Sequence, residues 1–318
     1  MAEAMTENNT LPDVAATVHF RKLGNTGFDV STIGFGTWQI AGGRWAAGTA
    51  PERVTLLRQA RDLGVNIFDV AVVYGQFRDE KYCLRSAALE LLGEAFHDSR
   101  ERVFYCIKLG QFDELTHRGL YEPSRLVEQF RHALKELKTD YIDICLIHAP
   151  SLHEVKRGIA ISVLQTLQAL GDVRAIGYCF ENDPVHVQEA LGQRIDVIML
   201  QYNLLDRHCS QVIDEAGERG VGIIVGGPFK RGYLTGKYSR ASDLPLEDGY
   251  WNWNVSHNRG KVDEILNSVE LMRKQHDSPE SLRRTALRFI LEKRAVASAV
   301  VGHRELKEVI ENALSVGD

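Results

Sequence analysis

Four polar side chains, Asp69, Tyr74, Lys108 and His148, have the residue types that together could carry out proton transfer. A tyrosine phenol is a weak acid with an ordinary pKa of about 10, and an ammonium group beside it favours the phenolate. A carboxylate beside a lysine keeps that lysine charged, and a neutral histidine can donate a hydrogen bond to a carbonyl oxygen. Such a set could donate a proton to an oxygen that is becoming an alkoxide.

The spacing of three of these residues corresponds to one strand and one helix. Asp69 lies in the apolar run NIFDV, Lys108 closes RVFYCIK, and His148 follows YIDICLI, so the intervals are 39 and 40 residues. Tyr74 lies in the loop just beyond Asp69. Taken singly, each has a structural explanation, such as a turn-forming aspartate or a packed tyrosine ring. Their recurrence at successive strand ends favours one common site.

Apolar runs alternate with amphipathic stretches along most of the chain, which predicts alternating strands and helices. The pattern predicts strands at 33–37, 66–70, 102–108, 141–147, 173–178, 196–200, 221–225 and 298–301. It predicts helices at about 52–63, 79–92, 124–137, 157–170, 184–191, 209–219, 260–275, 279–292 and 304–314. A hairpin is expected within 18–32, and a long loop at about 228–258.

The predicted strands are apolar along nearly their whole length, which is typical of a parallel sheet covered by helices. Eight strand–helix units predict a closed (β/α)₈ barrel, that is, a TIM barrel, with its chemistry at the carboxyl ends of the strands. An open sheet with a helical appendix is the alternative. Residues 1–17 are expected to form a disordered tail, and residues 18–318 a single domain.

Length and composition narrow the class of protein. The chain has 318 residues, of which 44% are apolar and 25% charged, and its net charge is −5. This profile is typical of a soluble protein, and it lacks the overall basic excess of a nucleic-acid-binding protein. Five scattered cysteines without a CxxC pair favour reduced thiols in the cytoplasm, and no metal site is expected. No apolar run is long enough to span a membrane.

The sequence resembles the aldo-keto reductase superfamily in the segments FDVAVVYG, VFYCIKLG and DYIDICLIHAP, in the hairpin RKLGNTGFDVSTIGFGTWQ, and in the closing VVGHRELKEVIEN. The resemblance covers about residues 18–315. It implies a barrel whose bottom is capped by the N-terminal β-hairpin. It also implies an extended nicotinamide cofactor that exchanges a hydride with a carbonyl carbon. By the same resemblance, Tyr74 is the general acid/base, Lys108 and Asp69 tune it, and His148 positions the substrate oxygen.

The resemblance assigns cofactor contacts to three groups of residues. They are Thr37, Trp38, Asp69, Cys179 and Gln201 near the nicotinamide, Pro228, Phe229, Lys230, Arg231, Gly232 and Lys237 over the pyrophosphate, and Gly302, His303, Arg304, Glu308, Glu311 and Asn312 at the adenosine. Two positions depart from the family pattern: Cys179-Phe180 replaces a usual Ser-Asn pair, and Gly226 replaces an aromatic residue that stacks on the nicotinamide.

The choice between NAD and NADP depends on residues near the carboxyl end. Glu308 occupies a position where Arg or Gln is frequent in the family. A carboxylate repels a 2′-phosphate and can bind free ribose hydroxyls, whereas the guanidinium of Arg304 suits a phosphate. The cofactor is therefore expected to be NAD or NADP, with NAD slightly favoured.

The expected substrate is a small carbonyl compound or polyol, such as an aldehyde, a ketone or a sugar. Trp38, Trp45, Gln76, Trp251 and Trp253 are the expected pocket residues, because aromatic faces can stack on a sugar ring. The tryptophans of the long loop could instead fasten that loop to the barrel. Two other functions stay open: a lyase or epimerase without redox chemistry, and a cofactor-binding regulatory subunit. The sequence does not predict the oligomeric state.

Overall fold

The structure is a computed structural model that describes residues 18–42, 48–78, 84–110, 121–246, 249–275 and 278–316. Its strands are β1 (Phe20–Lys22), β2 (Asp29–Ser31), β3 (Ile33–Gly36), β4 (Ile67–Ala71), β5 (Gln76–Arg78), β6 (Leu84–Ser86), β7 (Phe104–Leu109), β8 (Ile142–His148), β9 (Val173–Cys179), β10 (Val197–Gln201), β11 (Gly222–Gly226) and β12 (Val296–Gly302). Its helices are α1 (Ala50–Asp62), α2 (Ala87–Phe96), α3 (Pro123–Leu137), α4 (Leu152–Arg157), α5 (Ile159–Leu170), α6 (Pro184–Ala190), α7 (Ser210–Glu218), α8 (Gly249–His257), α9 (Arg259–Arg273), α10 (Pro279–Leu291) and α11 (Leu306–Leu314).

Eight of the strands form a closed parallel barrel in the order β3–β4–β7–β8–β9–β10–β11–β12, and β12 pairs back onto β3. The helices between them cover the outer face of the barrel, where a continuous apolar layer is buried. The predicted (β/α)₈ barrel is therefore confirmed. Among the helices that the structure describes, none is both long enough and apolar enough to cross a membrane.

The N-terminal hairpin closes the bottom of the barrel, as predicted. Strands β1 and β2 pair antiparallel, and Leu23, Phe28 and Val30 are buried with the side chains of the barrel interior. The turn approaches the barrel backbone closely, because a Cβ on Gly24 would lie 2.3 Å from the nitrogen of Gly222. Gly24 also has a φ of 50°, which glycine adopts without steric cost. The open end of the barrel is therefore at the carboxyl ends of the strands.

Alternation along the strands decides which side chains face the barrel interior. Ile67 of β4, Cys106 of β7, and Ile144 and Leu146 of β8 belong to the inner apolar cluster, whereas their neighbours along each strand pack against the helices. Successive side chains of a strand point to opposite faces. Asp69, Lys108 and His148 follow these inner residues at intervals of two, so they continue the inner face toward the mouth.

Two predicted elements differ from the structure. Of the predicted helix at 79–92, residues 79–83 lie outside the described residues, Leu84–Ser86 form β6, which pairs with β5, and the helix α2 begins only at Ala87. The helix starts late because the chain first packs back onto the turn that holds Tyr74. Ser86 Oγ donates to the carbonyl of Tyr74, and Ala87 N donates to the carbonyl of Gly75. The predicted loop at 228–258 contains two 3₁₀ turns and α8. Packing of Trp251 against Tyr233 holds α8 to the rest of that segment.

A buried carboxylate joins three elements near the amino-terminal ends of the strands. Asp143, only 1% exposed, accepts hydrogen bonds from Arg100 Nη2 at 2.6 Å, from Arg174 Nη1 at 2.8 Å and from the backbone N of Tyr105 at 2.9 Å. The Arg174 guanidinium also lies 4.3 Å from the centroid of the Phe28 ring in the hairpin. This network therefore links β8 to its neighbouring strands and to the hairpin.

We expect Asp143→Ala to lower the free energy of unfolding by about 3–5 kcal/mol, because removing one partner of a buried ion pair leaves the other uncompensated. Urea denaturation, followed by the midpoint and the slope, measures the change. Asp29→Ala is the matched control, since the Lys22–Asp29 pair is exposed and should contribute at most about 1 kcal/mol. Equal effects of the two substitutions would contradict a structural role for the Asp143 network.

Candidate active site

The four residues singled out by their chemistry meet at the mouth of the barrel. Lys108 Nζ lies 2.7 Å from the Asp69 carboxylate and 4.9 Å from the centroid of the Tyr74 ring. The Tyr74 and His148 rings meet edge to face, with centroids 6.3 Å apart and planes at 82°. Tyr74 occupies the turn after β4, where its N donates to the carbonyl of Ala71. The turn brings the phenol over the strand ends.

The electrostatics of Tyr74 differ from the sequence-based expectation. Burial raises the pKa of Tyr74 to about 12, although the Lys108 ammonium acts in the opposite direction. The expected lowering by Lys108 is therefore present, but burial outweighs it. The phenol is protonated at neutral pH in this state of the protein and is ready to act as an acid.

The other three groups have protonation states that complement the phenol. Burial, and then the nearby Lys108 ammonium, hold the pKa of His148 well below its usual value, so the imidazole is neutral. Burial alone would lower the pKa of Lys108, but Asp69 and Tyr74 hold it well above its usual value. Burial also raises the pKa of Asp69, against the attraction of Lys108. We interpret the buried pair as an ammonium and a carboxylate, because a nitrogen–oxygen distance of 2.7 Å is typical of a hydrogen bond between two oppositely charged groups.

Thr37 and Trp38 lie on the side of the mouth that follows β3. Thr37 is fully buried and its hydroxyl donates to the carbonyl of Asp69 at 2.8 Å. It therefore fixes the strand that carries Asp69. Trp38 is 41% exposed and stacks on Tyr74 at a centroid distance of 6.2 Å. The guanidinium carbon of Arg231 lies 5.4 Å from the centroid of the Trp38 ring.

On the opposite wall, Cys179 lies beside His148 in the register of β8 and β9. Burial raises the pKa of Cys179 to about 12, so its thiol is neutral and unreactive. Phe180 faces away from the mouth, because its ring stacks on Tyr178 and contacts His186 of α6. Phe180 therefore packs against the outer layer, and it does not occupy the place at the mouth of the polar side chain that the usual Ser-Asn pair would provide.

Gln201 and Gly226 complete this wall. The Gln201 amide donates to the carboxylate of Glu181, a residue that sequence reasoning missed because nothing in its local pattern marks it. A Cβ on Gly226 would meet only the Met199 methyl, at 3.0 Å, and Leu200 O, at 3.9 Å. A side chain at this position would therefore have to displace the Met199 methyl, and with Gly226 the end of β11 carries no aromatic ring.

The predicted pyrophosphate loop contains three cations with partners. Lys230 Nζ lies 3.2 Å from Asp206 Oδ2, Arg231 covers Trp38, and Lys237 Nζ lies 3.5 Å from Glu308 Oε1. Lys230, Arg231 and Gly232 have positive φ angles. Pro228 is buried and Phe229 packs against the core, so their side chains support the loop.

The carboxyl-terminal segment is only partly as predicted. His303 is fully buried, with its ring 4.9 Å from that of Phe35, and burial lowers its pKa to about 4. Its ring is therefore enclosed by the protein, and a role of this position in cofactor binding stays a prediction. Glu308 accepts from the backbone N of Arg304 at 2.8 Å, and Gly302 lies beside the side chain of Gln39. The contact of Glu308 with Lys237 keeps Glu308 as a candidate cofactor residue, and the role of Gly302 stays a prediction.

The two remaining predicted adenosine residues lie on α11. Glu311 pairs with Arg283 of α10 at 2.9 Å, and Lys307 lies 3.8 Å from it. Asn312 is buried, and its Oδ1 has no hydrogen-bond partner among the residues that the structure describes. These contacts connect α11 to α10.

The predicted substrate pocket is only partly supported. Trp251 is 1% exposed and packs between Tyr233 and Tyr238, so it fastens the segment to the barrel and does not line a pocket. Trp253 is 54% exposed but stacks on His257 of its own helix. Gln76 is exposed beside the turn that holds Tyr74. Trp45 lies outside the described residues.

Two features of the mouth fit a nicotinamide dinucleotide. His148 Nδ1 is buried without a hydrogen-bond partner among the described residues, so the mouth retains an unused polar atom. Lys237 and Glu308 flank the end of β12, where a nucleoside could lie. Among the described residues, no cluster of histidine, cysteine or carboxylate side chains could hold a metal ion.

Comparisons with known proteins agree with this geometry. The model of the Aldo/keto reductase family matches residues 32–316. The NADH-specific methylglyoxal reductase of Escherichia coli is 26% identical over 304 residues, 92% of each chain. The probable voltage-gated potassium channel subunit beta of Oryza sativa subsp. japonica is 27% identical over 315 residues, covering 93% of this chain and 90% of that protein.

A solved structure supports the fold independently. The aldo-keto reductase AKR11C1 from Bacillus halodurans, in its holo form, superposes with a TM-score of 0.74 at 24% identity, covering 94% of this chain and 91% of that one. Because the identity is low, this likeness concerns the fold alone. The family match over nearly the whole barrel shows that the chain belongs to the aldo/keto reductase family of NAD(P)-dependent oxidoreductases.

Proposed function

We propose that the protein interconverts a small aldehyde, ketone or sugar carbonyl and the corresponding alcohol, with Tyr74 as the general acid/base. The observation that carries this proposal is the meeting of a protonated phenol, a buried Lys108–Asp69 ion pair and a neutral imidazole at one end of the barrel. Each group alone has a structural explanation. Together they provide a proton, a cation to stabilise the resulting phenolate, and a hydrogen-bond donor for the substrate oxygen.

In the reductive direction, Tyr74 gives its proton to the carbonyl oxygen as that oxygen gains negative charge. Lys108 stabilises the phenolate that remains, and Asp69 keeps Lys108 charged and in place. Neutral His148 donates a ring N–H to the same oxygen and orients it. A bound nicotinamide supplies the hydride. In the oxidative direction Tyr74 must accept a proton, so the rate should rise with pH as the phenolate fraction grows.

We propose that the cofactor lies along the rim from Cys179 and Gln201 to Glu308, under the loop that carries Arg231 and Lys237. NAD remains slightly favoured over NADP. The Glu308 carboxylate next to Arg304 N would repel a 2′-phosphate. The similarity to a reductase whose name specifies NADH agrees with this preference.

Glu308→Arg should shift the preference toward NADP, because it replaces a repulsive carboxylate with a guanidinium that can bind the 2′-phosphate. A charge-assisted hydrogen bond is worth about 1.5–3 kcal/mol, or about ten- to a hundredfold in affinity. Fluorescence titration with both dinucleotides measures the ratio of dissociation constants. The gain should weaken with added salt, since the site is partly exposed.

Two further variants make this test specific. Arg304→Ala should move the ratio toward NAD, since it removes a nearby guanidinium. Lys237→Met removes the cation that contacts Glu308 Oε1 and controls for the loss of that ion pair alone. Unchanged ratios in Glu308→Arg and Arg304→Ala would show that this segment does not bind the adenosine ribose, and the preference for NAD would lose its support.

The function itself is tested by following nicotinamide absorbance with a panel of aldehydes, ketones and sugars, offering NADH and NADPH in reduction and NAD and NADP in oxidation. Substrate-dependent oxidation or reduction of the nicotinamide is the expected result. Product formation without an absorbance change would instead indicate a lyase or epimerase. Tight dinucleotide binding without turnover of any substrate would favour a regulatory role, as the name of the rice relative indicates for that protein.

A further inference from the structure

The chain is strained immediately after His148. Ala149 has a φ of 48°, in the left-handed region that residues other than glycine rarely adopt. It also precedes Pro150, and a proline favours an extended backbone at the residue before it. Such a conformation persists only where neighbouring groups hold it. Two groups do so here: the carbonyl of Cys179, which accepts from Ala149 N at 2.8 Å, and the hydroxyl of Tyr121.

The Tyr121 hydroxyl lies 2.8 Å from the carbonyl oxygen of His148 and 2.9 Å from that of Ala149. A hydroxyl carries one proton, so the two carbonyls share it. The Tyr121 ring packs over Gly110 at the end of β7, where a Cβ would lie 2.7 Å from the ring. Tyr121 also lies just before α3. It therefore connects the ends of the two strands that carry Lys108 and His148.

Among the residues that the structure describes, no hydrogen bond to the imidazole itself fixes the direction of the His148 ring. Nδ1 is buried without a partner, and among the described residues no hydrogen bond reaches either ring nitrogen. The ring contacts Tyr74 edge to face. The aim of the imidazole therefore depends on the backbone at His148 and Ala149, where Tyr121 acts.

We propose that Tyr121 is a positioning residue for His148: its hydroxyl holds the two carbonyls at the end of β8 and so directs the imidazole into the barrel mouth. This inference rests on the proposed function of His148 in orienting the substrate oxygen. Tyr121 acts through the backbone of β8. Local sequence patterns do not reveal this role, because the contact depends on a loop returning to a strand end 27 residues later.

Tyr121→Phe removes the hydroxyl and retains the ring over Gly110. We expect kcat/KM to fall about ten- to a hundredfold, as is typical when an orienting group is misplaced, while the dissociation constant of the dinucleotide is unchanged. In the substrate-free protein, the ring resonances of His148 in ¹H–¹⁵N spectra should broaden or split. A merely structural role for Tyr121 would not change these resonances.

Tyr105→Phe is the matched control, because the Tyr105 hydroxyl also donates to a backbone carbonyl, that of Leu92 at 3.2 Å, but in the outer layer of the barrel. This variant should leave both kcat/KM and the His148 resonances unchanged. Ala149→Gly provides a second test, since glycine adopts a positive φ without strain. In that background Tyr121→Phe should cause a smaller loss of kcat/KM, and the double variant keeps the test available if Tyr121→Phe alone does not fold.

Unchanged His148 resonances and an unchanged kcat/KM in Tyr121→Phe would overturn the inference. An equal loss of kcat/KM in the wild-type and Ala149→Gly backgrounds would overturn it as well. His148→Ala separates this outcome from failure of the proposed function. If His148→Ala retains full activity, the proposed role of His148 is wrong. If it loses activity while Tyr121→Phe changes nothing, only the positioning role of Tyr121 is wrong.

Discussion

Tyr74→Phe is expected to lower turnover by about 10²–10⁴-fold, the usual cost of losing a general acid, while the affinity for the dinucleotide stays near the wild-type value. The substitution removes the only proton of the ring that can be transferred. It preserves the ring, which stacks on Trp38 and contacts Lys108 and His148. Steady-state rates under saturating cofactor and substrate, together with fluorescence titration of the dinucleotide, measure the two quantities.

The result is informative because the phenol is protonated at neutral pH. With a pKa of about 12, raised by burial, Tyr74 can donate a proton throughout the physiological range. Tyr178→Phe is a suitable control, since its hydroxyl donates to Gln193 away from the mouth and its loss should not affect turnover. A Tyr74→Phe protein that keeps more than about a tenth of wild-type turnover would remove Tyr74 from the mechanism.

The sequence was sufficient to predict the barrel and the meeting of the four polar residues, for a physical reason. In a closed parallel sheet all carboxyl ends of the strands lie at one end, so residues that close successive strands must be neighbours. Asp69, Lys108 and His148 satisfy this condition, and inward alternation places them on the same face. Neither inference requires knowledge of how side chains pack.

The sequence was insufficient where packing or long-range contacts decide the outcome. The pKa of Tyr74 depends on the balance of burial against the Lys108 charge, and only the structure gives that balance. The burial of His303 and Trp251 depends on neighbours from distant parts of the chain. The partner of Gln201, Glu181, comes from the loop after the preceding strand, and its role could not be read from local composition.

Lys108→Met should lower turnover by about 10²–10³-fold, comparable to removing one preorganised donor that stabilises a developing negative charge. Without the ammonium, the phenolate of Tyr74 loses its stabilising cation, so the pKa of Tyr74 rises further above its already raised value. In the oxidative direction, the rising limb of the pH–rate profile should therefore move to higher pH. A profile identical to that of the wild type would contradict the pairing of Lys108 with Tyr74.

The same substitution should also make stability depend on pH, with a predictable sign. Asp69 is buried and its carboxylate would lose its cation, so its pKa in the folded state would rise further above the unfolded value of about 4. A group whose pKa is higher in the folded state favours folding while it is protonated. Its contribution is complete below the unfolded pKa and is lost as pH rises through the folded pKa.

Relative to the wild type, in which the buried neutral His148 and His303 already make stability depend on pH, Lys108→Met should therefore be less stable at pH 8 than at pH 5, by up to about 3–5 kcal/mol, the cost of leaving one member of a buried ion pair alone. Urea denaturation at both pH values measures this difference. Lys138→Met, which breaks the exposed pair with Glu94, is the control and should show the same pH dependence as the wild type. In the double variant Asp69→Asn/Lys108→Met the carboxylate is absent, so this additional pH dependence relative to the wild type should disappear. If it persists there, a group other than Asp69 is responsible.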